Sequence, residues 1–209
     1  MRLAVLRRGR GPGESNALNV LAFDIETVPD VEAGAAVHQL EGLDEEGVGK
    51  ALLALRRQET GNDFLPLHLH RIVAIAVVLR AGDQLHIRSV GDKEATEAEL
   101  LVRFFDGLER YRPTLVTWNG GGFDLPVIHY RCMVHGVVAA DYWRSDEDFR
   151  FNNYRNRYHE RHTDLMDVLS GFQVRAAARL DSFAAVLGLP GKIWMHGAEV
   201  WREHLAGNL

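Results

Sequence analysis

The chain has one cysteine, Cys132, among its 209 residues. A lone thiol can close no internal disulfide and build no cysteine zinc cluster, and it suits a reducing, cytoplasmic setting. No apolar run approaches the roughly 20 residues that span a bilayer. The opening MRLAVLRRGRGPG turns basic after a few apolar residues, which is too short for the core of a secretory signal. A cationic excess is also missing: 24 Lys and Arg face 29 Asp and Glu, for a net charge of -5. A generic duplex-DNA binder is therefore not expected. An enzyme that gathers carboxylates around metal ions remains compatible, because the metal supplies the charge that meets phosphate. Internal repeats and low-complexity tracts are absent as well.

What is present is an ordinary globular composition, 46% hydrophobic and 25% charged, of a length that suits one domain. GRGPGESN at 9–16 reads as a flexible lead-in, so residues 1–19 form a flexible or edge segment before a domain spanning 20–209. NVLAFDIETVPD begins with an apolar run that suits a buried strand closed by Pro29. Residues 31–63 suggest one or two helices with loops, arranged like a lid. RIVAIAVVLR reads as a central strand, paired as a hairpin with QLHIRSV across Gly82-Asp83. His68 and His70 then fall on alternating polar positions at the strand start.

EATEAELLVRFFDGLERY has helical spacing with acids in its first turn. TLVTW is a short strand, NGGG a tight loop, and FDLPVIHYRCMVHG a helix with an early proline and a glycine past its end. DLMDVLSGF, LDSFAAVLG and AEVWREHLAG read as further helices. GLPGK at 188–192 lacks the spacing of a phosphate loop. The order of elements predicts an α/β domain, a mixed sheet flanked by helices.

The chemistry concentrates in three acids. Asp24 and Glu26 lie two apart on the first strand, so both project from one face. Like charges together on a buried strand are costly unless protonated, paired or metal-bound. Asp124 opens a helix after the NGGG loop, where a carboxylate also serves as a cap. If TLVTW runs parallel beside the first strand, all three acids reach one edge of the sheet, where open α/β sheets bind ligands. The bland alternatives are a strand-end acid and two helix caps.

FDIETVPD followed about 95 residues later by NGGGFD resembles the first two motifs of the DEDD superfamily of 3′–5′ exonucleases, with HTDLMDVLSGF, LDSFAAVLGLPGK and HGAEVW adding to the likeness. The pattern is similar to the stand-alone bacterial proteins related to the exonuclease domain of family B DNA polymerases. The resemblance covers roughly residues 20–206. It implies a ribonuclease H-like five-stranded sheet and hydrolysis of nucleotides from the 3′ end of a nucleic acid, single-stranded DNA first. Asp24, Glu26 and Asp124 would bind two magnesium or manganese ions. Asn119 and Phe123 would contact the terminal nucleotides, and the backbone beside Thr27 the 3′ hydroxyl. Turn formation and core packing are the alternatives for Asn119 and Phe123.

The resemblance also implies a third motif, Tyr-x-x-x-Asp on a C-terminal helix. It is expected shortly after AEVWREHLAG, where this sequence reaches Asn208-Leu209. A weak or silent species is the expectation, with a catalytically silent nucleic-acid-binding module as the alternative function. Asp164 is expected to end a fifth strand and support the site from behind, or to stand in for the missing acid. FRFNNYRNRYHERH offers Arg155 and Arg157 among aromatics, a composition suited to a single strand or simply to a solvated loop.

Overall fold

A computed structural model describes residues 18–146, 148–190 and 197–208. Residues 1–17 and the last two residues of GLPGK lie outside the described residues. Five strands form one sheet in the order β3-β2-β1-β4-β5. They are β1 (Val20–Pro29), β2 (His70–Ala81), β3 (Gln84–Ser89), β4 (Thr114–Thr117) and β5 (His162–Asp164). β1, β2 and β3 run antiparallel in succession. β4 lies parallel to β1 and β5 parallel to β4. This is the expected mixed sheet, with β1 at its centre.

The register fixes the functional edge. Val20, Leu21 and Ala22 pair with Thr114, Leu115 and Val116, so β4 ends just as β1 reaches Asp24. Thr117 in turn pairs with Asp164. Asp24 in the middle of β1 therefore lies level with the ends of β4 and β5, which carry the loop leading to Asp124 and Asp164. Opposite Glu26 and Thr27 the β1–β2 ladder slips, since Glu26 pairs with Ala74 and Thr27 with Ile72. Val73 is the extra residue of a bulge, which bends and twists the strand beside the candidate site.

Helices cover the sheet. α1 (Val31–His38) and α2 (Glu45–Thr60) form the pair expected between the first two strands. They bury Val48 and Leu52 with Leu65 and Leu69 in a small core of their own. α3 (Glu97–Tyr111) starts at a capping box between Thr96 and Glu99 and ends at Arg112 in the left-handed region. Its buried face, Leu100, Leu101, Phe104, Phe105 and Leu108, joins Leu21, Phe23, Ile75 and Leu115 in the main core. α4 (Asp124–His135) stops at Gly136, whose φ of 64° closes the helix.

α5 (Ala140–Trp143) is a single turn. α6 (Leu165–Leu169) and α7 (Leu180–Val186) are shorter than their sequence pattern suggests. Gly171 and Phe172 both take positive φ after α6, so the chain turns there instead of continuing. α8 (Gly197–Leu205) lies against β1. No described helix is long and apolar enough to cross a membrane.

A buried ionic cluster joins β1 to α3 and α4. Arg131 of α4 is almost fully buried and binds both Asp30 and Glu97, the latter at 2.6 Å. Glu97 also accepts from the Ile72 N–H and contacts His135. Asp30 caps α1 through the Ala33 N–H. A cation removed from water needs this degree of pairing to be tolerable.

Candidate active site

The burial of the acids differs from the sequence expectation. Asp24 is exposed and Glu26 half-buried, because the sheet opens at this edge, while Asp124 is only 5% exposed. Nor does Asp124 cap its helix. It is the first residue of α4, and its carboxylate reaches across to β1, where Oδ1 accepts the Ile25 N–H at 3.2 Å. A helix-start residue is thereby lodged between Asp24 and Glu26 along the neighbouring strand. Burial first, and the Asp24 charge second, push the Asp124 carboxyl up to about 7.

The loop before Asp124 is tightly held. Asn119 has a φ of 64°, a conformation that asparagine tolerates better than most residues. Its carbonyl accepts from the Gly122 and Phe123 N–H groups. A Cβ on Gly120 would come within 2.5 Å of the Thr117 side chain, and one on Gly122 within 2.5 Å of Asn119 Oδ1. Glycine is required at both by close approach. Asp164 grips the same loop from β5. Its Oδ1 accepts the Asn119 N–H at 2.9 Å and the Met166 N–H at 3.1 Å, and its Oδ2 the Gly121 N–H at 2.9 Å. Both oxygens are engaged by amides, which describes a positioning group.

Two grooves flank this loop. One, of about 510 Å³, is lined by Asp24, Glu26, Thr27 and Phe123, together with Phe64 and His70. The three rings lie 5.3–5.6 Å apart, centroid to centroid. His70 is buried, which corrects its reading as a polar strand-start position, whereas His68 is exposed. The Nε2–H of His70 donates to the Leu65 carbonyl, so its Nδ1 accepts from the Thr27 hydroxyl at 2.9 Å. Burial holds the imidazole below its usual range and therefore neutral. Phe64 and His70 are the residues that sequence reasoning missed. The only signal was their position beside the strand that pairs with β1.

The second groove, of about 720 Å³, takes Asn119, Gly121 and Gly122 from the other side of the loop, along with Arg155 and Arg157. Asn119 and Phe123 thus open onto different grooves. The segment at 149–162 is neither a plain solvated loop nor a free basic strip. Phe149, Asn153 and Tyr154 are buried, and the Tyr154 hydroxyl donates to the Pro113 carbonyl. Arg157 is paired with Asp167 at 2.7 Å. Arg155 stays exposed, with its guanidinium 5.6 Å from the Trp143 ring centroid.

Hard carboxylate oxygens whose charges disfavour one another are the donor set that a hard divalent cation suits. Among the described residues no three or more His, Cys, Asp or Glu side chains lie together in a group that could hold a metal ion.

A mixed five-stranded sheet of this topology, with carboxylates where its parallel strands end, defines a ribonuclease H-like domain of exonuclease type. Residues 62–209 match the family described as "Predicted 3'-5' exonuclease related to the exonuclease domain of PolB", and the chain belongs to that family. The matched residues include Asn119, Phe123, Asp124 and Asp164, while Asp24 and Glu26 precede them. Shorter stretches resemble polymerases. One is 45% identical over 49 residues to the catalytic subunit of DNA polymerase epsilon from Saccharomyces cerevisiae, covering 23% of this chain and 2% of that protein. Another is 48% identical over 46 residues to DNA polymerase 1 of Saccharolobus solfataricus, covering 22% of this chain and 5% of that protein. Each match thus involves a small part of a much longer relative. Membership implies a nucleic-acid substrate, and exonucleases of this kind generally use divalent metal ions.

Proposed function

We propose that the chain hydrolyses nucleotides from the 3′ end of single-stranded DNA in a metal-dependent reaction. The observation that carries the reading is the placement of Asp124: a buried carboxylate bonded to the β1 backbone beside Asp24, level with the ends of β4 and β5. Asp24, Glu26 and Asp124 would hold two magnesium or manganese ions. Ions bound there would supply a nucleophilic water of lowered pKa and charge stabilisation for the departing 3′ oxygen.

The chain's own residues do the rest. Phe123 and Phe64 offer apolar faces to the terminal sugar and base. Neutral His70 fixes the Thr27 hydroxyl, and so the β1 backbone beside the bulge, where the terminal 3′ hydroxyl would be met. Asp164 holds the loop that delivers Asn119 and Phe123.

The second reading is a silent nucleic-acid-binding module on the same scaffold. The absence, among the described residues, of any group of three His, Cys, Asp or Glu side chains that could hold a metal ion favours it. One experiment separates the two. Single-stranded DNA labelled at either end is incubated with manganese and the wild type, Asp24→Asn or Asp124→Asn. The exonuclease reading expects a 3′ label to leave as mononucleotide while a 5′ label stays on shortening strands, and both variants to lose at least about a hundredfold in rate. Binding without shortening would favour the silent module.

A further inference from the structure

The second groove takes Asn119, Gly121 and Gly122, whereas Phe123, the next residue along, lines the groove that holds Asp24 and Glu26. Its walls carry an aromatic and cationic pair. Trp143 is 42% exposed, and Arg155 lies over its ring. Trp143 is braced from behind. The His129 ring centroid is 4.7 Å away and that of Tyr142 5.2 Å, and His129 Nε2 meets the Tyr142 hydroxyl at 2.9 Å. Burial, with Arg155 nearby, pushes His129 down to about 4, so its ring is neutral at ordinary pH. Arg157 is bound to Asp167, whereas Arg155 has no carboxylate partner among the described residues.

These features have a common use. A strand whose terminal nucleotide occupies the acid-lined groove must leave across the loop. Gly121 and Gly122 are exposed there and present no side chain to obstruct a passing backbone. Beyond them the strand meets a rigidly backed indole and a guanidinium. Indole faces stack on any base, and a guanidinium binds the phosphate beside it. On a chain of net charge -5, a cation beside a partly exposed aromatic ring marks a place for an anionic, base-bearing ligand.

We infer that the groove formed by the 119–122 loop, Trp143 and Arg155 is an upstream-nucleotide subsite, with Trp143 stacking on a base and Arg155 binding its phosphate. The inference rests on the exonuclease reading above and deepens it. The subsite makes affinity depend on strand length, and it selects single strands, because a base must be unpaired to lie on the indole.

The test is the affinity of the full chain, in EDTA, for an eight-thymidine strand and for a dithymidine. The first is read by fluorescence anisotropy of a 5′ label and the second by competition. Trp143→Ala should weaken binding of the longer strand about tenfold and of the dinucleotide by less than about twofold. Trp143→Phe should restore most of the loss, which a folding defect would not allow. Arg155→Gln should reduce the slope of log affinity against log salt by about 0.7. Equal losses for both lengths, or no loss with the longer strand, would overturn the subsite. End-labelled hydrolysis by the wild type with manganese is measured alongside. An active wild type combined with an unaltered Trp143→Ala affinity removes the subsite alone. Length-dependent binding through Trp143 without hydrolysis removes the exonuclease reading and supports the groove.

Discussion

Replacing Asp124 with asparagine should stabilise the metal-free protein at alkaline pH. Burial and the Asp24 charge push this carboxyl up to about 7, whereas an aspartate in an unfolded chain titrates near ~3.9. Between those values the folded protein keeps a proton that the unfolded chain releases. Stability therefore falls as pH rises from about 4 to about 7, and the full penalty applies above the folded-state value. Three pH units at about 1.4 kcal/mol each set a ceiling of about 4 kcal/mol. Water entering the open groove lowers the effect, and about 2 kcal/mol is the expected size. Asparagine keeps an oxygen for the Ile25 N–H and carries no charge. Urea unfolding in EDTA, near pH 5 and near pH 8, measures the difference. Part of that penalty is already present at pH 5, so the variant should gain about 1 kcal/mol on the wild type between the two pH values. Manganese should reverse the order by raising the wild-type Tm while leaving that of Asp124→Asn unmoved, since binding requires the deprotonated ligand. Parallel pH profiles for the two proteins would refute the argument, because they would mean that Asp124 is not held protonated by its surroundings.

Arg131→Met should cost about 3–5 kcal/mol by urea unfolding, since it leaves Asp30 and Glu97 buried without their cation; a loss below about 1 kcal/mol would show that the cluster is solvated. Gly120→Ala should slow nucleotide release more than it lowers Tm, because the added Cβ drives the loop off Thr117, and unchanged kcat would argue against a tightly seated loop. The folded-state value of His129 is depressed to about 4, so its neutral form is favoured above the unfolded value of ~6.5, and that stability is lost as pH falls from about 6.5 towards about 4. His129→Phe should therefore resist acid better than the wild type over that window, as followed by circular dichroism.

The strands and the order of the acids were readable because both depend on local pattern. The period-two alternation put Asp24 and Glu26 on one face, and the spacing from TLVTW to Asp124 put that acid at the same edge. What could not be read depends on partners far apart in sequence. Asp124 looks like a helix cap because the amide that it binds is 99 positions earlier. Arg131 and Asp30 are separated by 101 positions, and each alone reads as an ordinary surface charge. His70 looks like one step of a polar alternation until Leu65 and Thr27 are seen to use both of its ring nitrogens. The helices after β5 were overread because the positive φ values at Gly171 and Phe172 belong to a turn that a helical spacing of apolar residues conceals.

The same long-range bonds explain why the acids do not act as independent parts. Asp164 ties the end of β5 to the 119–122 loop, and Asp124, just beyond that loop, ties the start of α4 to β1. Two carboxylate-to-amide links thus bridge the middle of β1 and the ends of β4 and β5, where the parallel ladder has run out. Asp164→Ala would strip acceptors from three amides and cost about 3 kcal/mol. Its effect would spread further, because a loosened loop lets Asp124 withdraw from Ile25 and from the field of Asp24. The apparent pKa of Asp124 should then fall towards its ordinary value, and loss of the Asp164 charge, which helps to raise it, adds to the fall. Asp164→Asn, which keeps one acceptor oxygen, should retain more of both the loop and the raised pKa. Both variants lose the same charge, so if carboxyl titration followed by NMR gave the same Asp124 value in Asp164→Asn and Asp164→Ala, the two links would be mechanically separate, and the edge would not behave as one unit.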